Sequence, residues 1–129
     1  MSLSELGHRT SGLRVLVVED ENLLALLVED MLAELGHEVV GPVACLSKAL
    51  EMVQRHDVDI AILDLNINGR DTYPVAAALA ARGIPFVFAT GYSREWLREP
   101  YRNVPILQKP FQQDDLQKVF AETCRPKET

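Results

Sequence analysis

Five short runs rich in valine and isoleucine, at 14–18, 38–43, 60–63, 86–89 and 104–107, recur along the chain with helical patterns between them. Four of the runs are near-continuously apolar, as strands are when a parallel sheet is covered on both faces. Leu24, Leu27, Val28, Met31 and Leu35 repeat at three and four, and Gly36 follows as a left-handed stop. Ser47 is placed to cap a second helix whose apolar side is Ala49, Leu50 and Val53. A third opens near residues 71–74, runs through the alanine-rich 75–81 and stops at Gly83. In the last, Leu116, Val119, Phe120 and Cys124 share one face. Between 93 and 102, Trp96 and Leu97 sit in a helical setting that Pro100 and Pro105 limit to a short helix, with Trp96 as a packing anchor.

Alternation of this kind calls for a parallel sheet with helices on both sides, and right-handed crossovers leave a doubly wound open α/β sheet as the compact arrangement. A chain of 129 residues, 47% hydrophobic, has the material for one domain with a real core. We expect a disordered lead over 1–12, the domain over 13–125 and a tail over 126–129. No apolar stretch approaches the ~20 residues of a membrane helix. Glu5, His8 and Arg9 interrupt the N-terminus before any signal-like segment develops. Cys45 and Cys124 lie far apart in no metal-ligand spacing and read as small core fillers in a reducing cytoplasm. His8, His37 and His56 share no spacing and read as surface residues. A net charge of −6 with scattered basic residues offers nucleic acid no footprint.

In open α/β sheets, ligands bind beyond the carboxyl ends of the strands. The first run is followed by Glu19, Asp20 and Glu21, the third by Asp64, the fourth by Thr90 and Gly91, and the fifth by Lys109 and Pro110. Taken singly, each has an ordinary reading: an acidic first turn of a helix, an Asx turn, a tight turn, a loop lysine. Together they put carboxylates, a hydroxyl and an ammonium on one rim. Close carboxylates either raise a pKa or hold a hard cation, and an all-oxygen set suits Mg²⁺. A carboxylate can also act as a nucleophile and form an acyl phosphate. Phosphoryl transfer then needs mainly positioning and charge neutralisation, which a metal, Lys109 and the Thr90 hydroxyl would supply.

VLVVEDE at 15–21, ILDLNING at 62–69, FATGY at 88–92 and LQKPF at 107–111 resemble, in order and spacing, the receiver domains of bacterial two-component response regulators. The resemblance spans about 13–124 and implies a flavodoxin-like fold with strand order 2-1-3-4-5. It further implies Asp64 as phosphoacceptor and Glu19 and Asp20 as the acidic metal pair, with the main-chain carbonyl of Asn66 as a further Mg²⁺ ligand. Thr90 matches the switch hydroxyl and Lys109 the phosphate-contacting lysine, with a cis Lys109–Pro110 bond. The expected function is Mg²⁺-dependent acceptance of a phosphoryl group from a sensor histidine kinase, switching contacts with a downstream protein or phosphotransfer partner. That makes a signalling phosphoacceptor rather than an enzyme, here a stand-alone receiver, monomeric or weakly dimeric.

Two positions depart from the common receiver pattern. Ile106 stands where an aromatic usually lies three residues before the lysine, and Asn68 stands where a proline usually follows the phosphoacceptor. PFVFATGY at 85–92 is instead similar to the PFxFATGY subgroup, which implies an HWE-type sensor kinase. Without the aromatic, signalling would rest on ordering of the stretch between Gly91 and Pro105. The family also implies that Tyr92 and the Asn66 side chain influence phosphoryl lifetime. It places the partner surface near Arg94, Trp96, Arg98 and 112–118. Two other functions fit the rim residues: a small aspartyl-phosphate phosphatase or phosphotransferase, and a phosphorylation-independent binding module. Against the first, Asn66 stands where such enzymes place an acid–base aspartate.

Overall fold

A computed structural model describes residues 12–123, so the expectations for the lead, the tail, His8 and Cys124 lie outside the described residues. Strand β1 (Arg14–Val18) leads to helix α1 (Asn22–Glu34), then β2 (Glu38–Val43), α2 (Leu46–Arg55) and β3 (Ile60–Asp64). A two-stranded hairpin, β4 (Asn66–Ile67) and β5 (Arg70–Asp71), precedes α3 (Tyr73–Ala81) and β6 (Phe86–Thr90). A 3₁₀ turn at Arg94–Trp96 interrupts the way to β7 (Ile106–Gln108), and α4 (Gln113–Thr123) closes the described chain.

The five long strands form one parallel sheet in the order β2-β1-β3-β6-β7, the doubly wound flavodoxin-like arrangement expected. Successive strand residues point to opposite faces, and the core splits accordingly. Val15, Val17, Ile60, Ile62, Val87 and Ala89 pack with Val28 and Leu32 of α1 and Leu116 and Phe120 of α4. Leu16, Val18, Ala61, Leu63 and Phe88 pack on the other face with Ala49 and Val53 of α2 and Val75, Ala76 and Leu79 of α3. Both faces being covered is why the central runs are near-continuously apolar between their polar ends.

The helix boundaries follow local chemistry. Gly36 (φ 85°) and Gly83 (φ 70°) adopt the left-handed conformation that ends α1 and α3 at little cost. Pro74 lies in the first turn of α3, where its missing N–H is not needed. At the start of α4, the Asp115 carboxylate reaches back to accept from the Gln112 N–H at 2.8 Å, half of a capping box.

Several expectations are corrected. Leu27 is 47% exposed, because the apolar stripe of α1 is centred on Ala25, Val28 and Leu32. The cap position of α2 is Cys45 rather than Ser47, and the Cys45 thiol is exposed rather than a core filler. The Lys48 backbone N–H, followed by the Ser47 hydroxyl, holds that thiol below the usual range. His37 is half-buried, not a surface residue; its Nδ1 accepts from the Leu13 N–H at 3.2 Å and its ring lies against Phe120. His56 is exposed as expected. The segment between β6 and β7 forms a single 3₁₀ turn, and Trp96 is 66% exposed while neighbouring Leu97 is buried instead.

Candidate functional site

The register of the sheet builds the site. Val18 pairs with Leu63, so Glu19 and Asp64 come side by side where β1 and β3 end. Asp64 pairs with Ala89, and Thr90 with Gln108, which carries the hydroxyl and then Lys109 to the same rim. The Lys109 N–H donates to the Thr90 carbonyl at 2.9 Å, fixing where the lysine leaves the sheet. The Lys109–Pro110 bond is cis, as the resemblance implied.

The Lys109 ammonium bridges two carboxylates. Its Nζ donates to Glu19 Oε1 at 3.2 Å, Glu19 Oε2 at 3.4 Å and Asp64 Oδ2 at 3.2 Å. Glu19 is buried, and the side chains of Asp64 and Lys109 are largely covered. Burial, then the hydrogen bond and charge of Asp64, push the Glu19 carboxyl up to about 8 against the pull of Lys109. Burial works to lower the Lys109 ammonium, yet Asp64 and Glu19 prevail and hold it above the usual lysine value.

Asp20 completes an acidic triad. Carboxylate oxygens of Glu19, Asp20 and Asp64 all lie within 4.8 Å of one another. Three hard oxygen donors that close, one of them buried enough to favour its proton, form a set that a small divalent cation would relieve. The donor chemistry therefore fits Mg²⁺.

The hairpin after β3 positions this triad, and sequence reasoning missed it. Asn68 adopts a positive φ of 51°, which asparagine tolerates better than other side chains. From that turn its N–H donates to Asp20 Oδ2 at 2.8 Å and its Nδ2 to the Ala44 carbonyl at 2.8 Å. Asn68 thus ties Asp20 to the end of β2, and the signal was visible as Asn-Gly, a turn pair, directly after the acidic strand end. The Asn66 N–H lies 3.3 Å from Asp64 Oδ1, and its side-chain oxygen accepts from the Gly69 N–H at 3.1 Å. Thr72, fully buried, donates its hydroxyl to the Asp64 carbonyl at 2.6 Å.

Thr90 is buried at the rim, and its Oγ1 accepts from the Tyr92 N–H at 3.0 Å. Tyr92 itself is exposed, its ring 5.8 Å from that of Trp96. Glu19, Asp64 and Lys109 are thus in direct contact, Asp20 joins them within the triad, and Thr90 ends the adjoining strand. Ile106 is half-buried against the α2–α3 side of the sheet.

A parallel doubly wound sheet with an acidic triad and a bridging lysine at its carboxyl rim defines a receiver-type α/β module. Residues 15–121 match the response regulator receiver domain family, and the chain belongs to it. It is a receiver domain of two-component response regulators. The solution structure of SdrG from Sphingomonas melonis Fr1 is 43% identical, with a TM-score of 0.77 over 94% of this chain and 97% of that one. A second SdrG structure, described as the BeF3-activated conformation and from Pseudomonas melonis Fr1, is 45% identical over 88% of this chain and 97% of that one, with a TM-score of 0.75. The response regulator PhyR from Brucella abortus is 26% identical with a TM-score of 0.81, covering 94% of this chain and 51% of its own. The transcriptional regulatory protein PdtaR of Mycobacterium tuberculosis is 36% identical over 80% of this chain and 52% of its own length. The chain spans about half the length of the curated relatives it matches first. Among the described residues, no helix is long and apolar enough to cross a membrane.

Proposed function

We propose that Asp64 is the phosphoacceptor of this receiver and takes its phosphoryl group from the phosphohistidine of a sensor histidine kinase. An Asp64 carboxylate oxygen attacks phosphorus in line, the phosphorus–nitrogen bond breaks, and the imidazole departs with the bonding pair. Lys109, already 3.2 Å from Asp64 Oδ2, swings its ammonium onto a phosphoryl oxygen as charge builds there. The Thr90 hydroxyl donates to another. It can do so while still accepting from Tyr92, since a hydroxyl carries both functions.

Glu19, Asp20, Asp64 and the main-chain carbonyl of Asn66 would hold Mg²⁺, which when bound neutralises phosphoryl charge. The observation that carries this reading is the Lys109 bridge between Glu19 and Asp64 inside the acidic triad. The Asn66 side-chain oxygen is engaged by Gly69, and an amide offers no acid–base function, which disfavours a phosphatase. The PFxFATGY run supports an HWE-type kinase as donor. Residues 13–125 would form the receiver, monomeric or weakly dimeric, with a downstream protein or phosphotransfer partner. A cytoplasmic setting would keep the exposed Cys45 thiol reduced.

The test is intact-mass measurement after exposure to an active HWE-type kinase and, separately, to a small phosphodonor. One phosphoryl group gained with Mg²⁺, absent with EDTA and absent in Asp64→Asn, is the expected result. An unchanged mass from both donors, or equal labelling of Asp64→Asn, would overturn the assignment.

A further inference from the structure

With Ile106 in place of the usual aromatic, the strand β7 carries no ring that could follow a movement of Thr90. The strap of chain between Gly91 and Pro105 carries three aromatic rings, of which Tyr92 and Trp96 are exposed and Tyr101 is half-buried. Tyr101 stacks on Tyr73, the first residue of α3, with ring centroids 5.2 Å apart and planes only 12° from parallel. It also meets Phe86 and Phe88 of β6 edge-on, each at 6.2 Å. Arg98 adds a second tie: its N–H donates to the Tyr73 hydroxyl at 3.0 Å, and its guanidinium sits 5.2 Å over the same ring. That guanidinium also pairs with Asp71 at 3.8 Å.

These anchors lie on the segment that leaves the phosphoacceptor. Asp71 ends the hairpin after Asp64, and its carboxylate accepts from the Tyr73 N–H at 3.2 Å. Thr72, between the two, donates its hydroxyl to the Asp64 carbonyl. The strap is also laced to itself. Arg94 donates to the carbonyls of Arg102 and Val104 at 2.7 and 2.8 Å, and Arg102 to that of Leu97 at 3.1 Å. A segment stapled in this way moves as one piece, so displacing its anchor displaces all of it, including exposed Trp96.

We propose that Tyr101 and Arg98 latch the strap to Tyr73 and Asp71, so that the ring reporting the state of Asp64 is borne by the strap and not by β7. The relay runs from Asp64 through Thr72 to Tyr73, and from there to Tyr101. Tyr101 is a positioning residue, since it touches no reacting atom. The relay rests on the reading of Asp64 as phosphoacceptor.

The test follows backbone amides by NMR in wild type, Tyr101→Leu, Tyr101→Phe and Tyr73→Phe, each with and without Mg²⁺ and beryllofluoride. Without ligand, Tyr101→Leu is expected to speed exchange of the Arg98, Tyr101 and Val104 amides by roughly 2- to 10-fold, the worth of one aromatic pair. Tyr101→Phe keeps the stack and should match wild type. Tyr73→Phe should speed the Arg98 amide alone, because only its acceptor is lost. With beryllofluoride, amides 64–68 should shift in all four proteins, while the shifts of amides 97–99 and 101–104 should be clearly smaller in Tyr101→Leu, which keeps only the Arg98 ties, than in the other three. A strap that responds equally in Tyr101→Leu, or whose ligand-free exchange is unchanged there, would overturn the relay alone. No response at 64–68 in wild type would overturn the acceptor reading and the relay with it.

Discussion

Thr72→Val swaps a hydroxyl for a methyl of nearly the same shape at a fully buried position beside the site. The lost hydroxyl donates at 2.6 Å to the Asp64 carbonyl, and its other carbonyl neighbour, Leu65, is 3.3 Å away. Removing one donor forfeits a net hydrogen bond and leaves a buried carbonyl under-satisfied, which together cost about 1–3 kcal/mol. Valine restores the apolar volume, so no cavity term is added. Thr72→Ser makes the complementary change: it keeps the donor and gives up one methyl, about 1 kcal/mol. Urea denaturation separates the two. Valine should lower the midpoint with an unchanged slope, and by more than serine does. A valine variant as stable as wild type, or a serine variant worse than valine, would refute the view that this hydroxyl holds the backbone of Asp64 in place.

Lys109→Met removes the ammonium that bridges Glu19 and Asp64, and the rate of acyl-phosphate formation should fall by at least tenfold, about 1.4 kcal/mol of transition-state stabilisation. Stopped-flow phosphorylation would measure it, and an unchanged rate would remove Lys109 from the mechanism. Metal-free stability should decline with rising pH, because Glu19 has a folded pKa of about 8 against 4.5 in the unfolded chain. The folded state then binds more protons between those values, so its advantage is complete below about 4.5 and gone above about 8. Melting temperatures from pH 5 to 9 should show that decline, which Glu19→Gln should flatten. Asn68→Val should cost about 1–2 kcal/mol, because a β-branched residue resists the positive φ and both side-chain and backbone ties are disturbed. Asn68→Gly should cost less, and a reversed order in thermal unfolding would count against this role.

Four of the five main strands were legible because burial on both faces leaves a near-continuous apolar signal, and the rim residues because the runs at β1, β3, β6 and β7 are each followed by polar residues. The hairpin β4–β5 was not, since two residues per strand give no period. Leu27 misled because leucines surround the helix on more than one side, and the stripe that faces the sheet is set by the smaller Ala25 and Val28. Trp96 is not the anchor its helical setting suggests, because the strap buries Leu97 and turns the indole outward. The Tyr73–Tyr101 stack joins residues far apart in sequence, and no local pattern announces it. Asp64, Glu19, Asp20, Thr90 and Lys109 came from strand ends. The contacts by which Asn68 and Thr72 hold them in place join residues eight or more positions apart and emerge from the three-dimensional structure.

Borohydride reduction of the phosphorylated protein, followed by peptide mass spectrometry, tests the central claim most directly. An acyl phosphate is converted to the corresponding alcohol at the residue that carried it. The account predicts that reduced residue at position 64 alone, and only after phosphorylation in Mg²⁺. A reduced residue at Glu19 or Asp20, or at any position outside the rim, would contradict it.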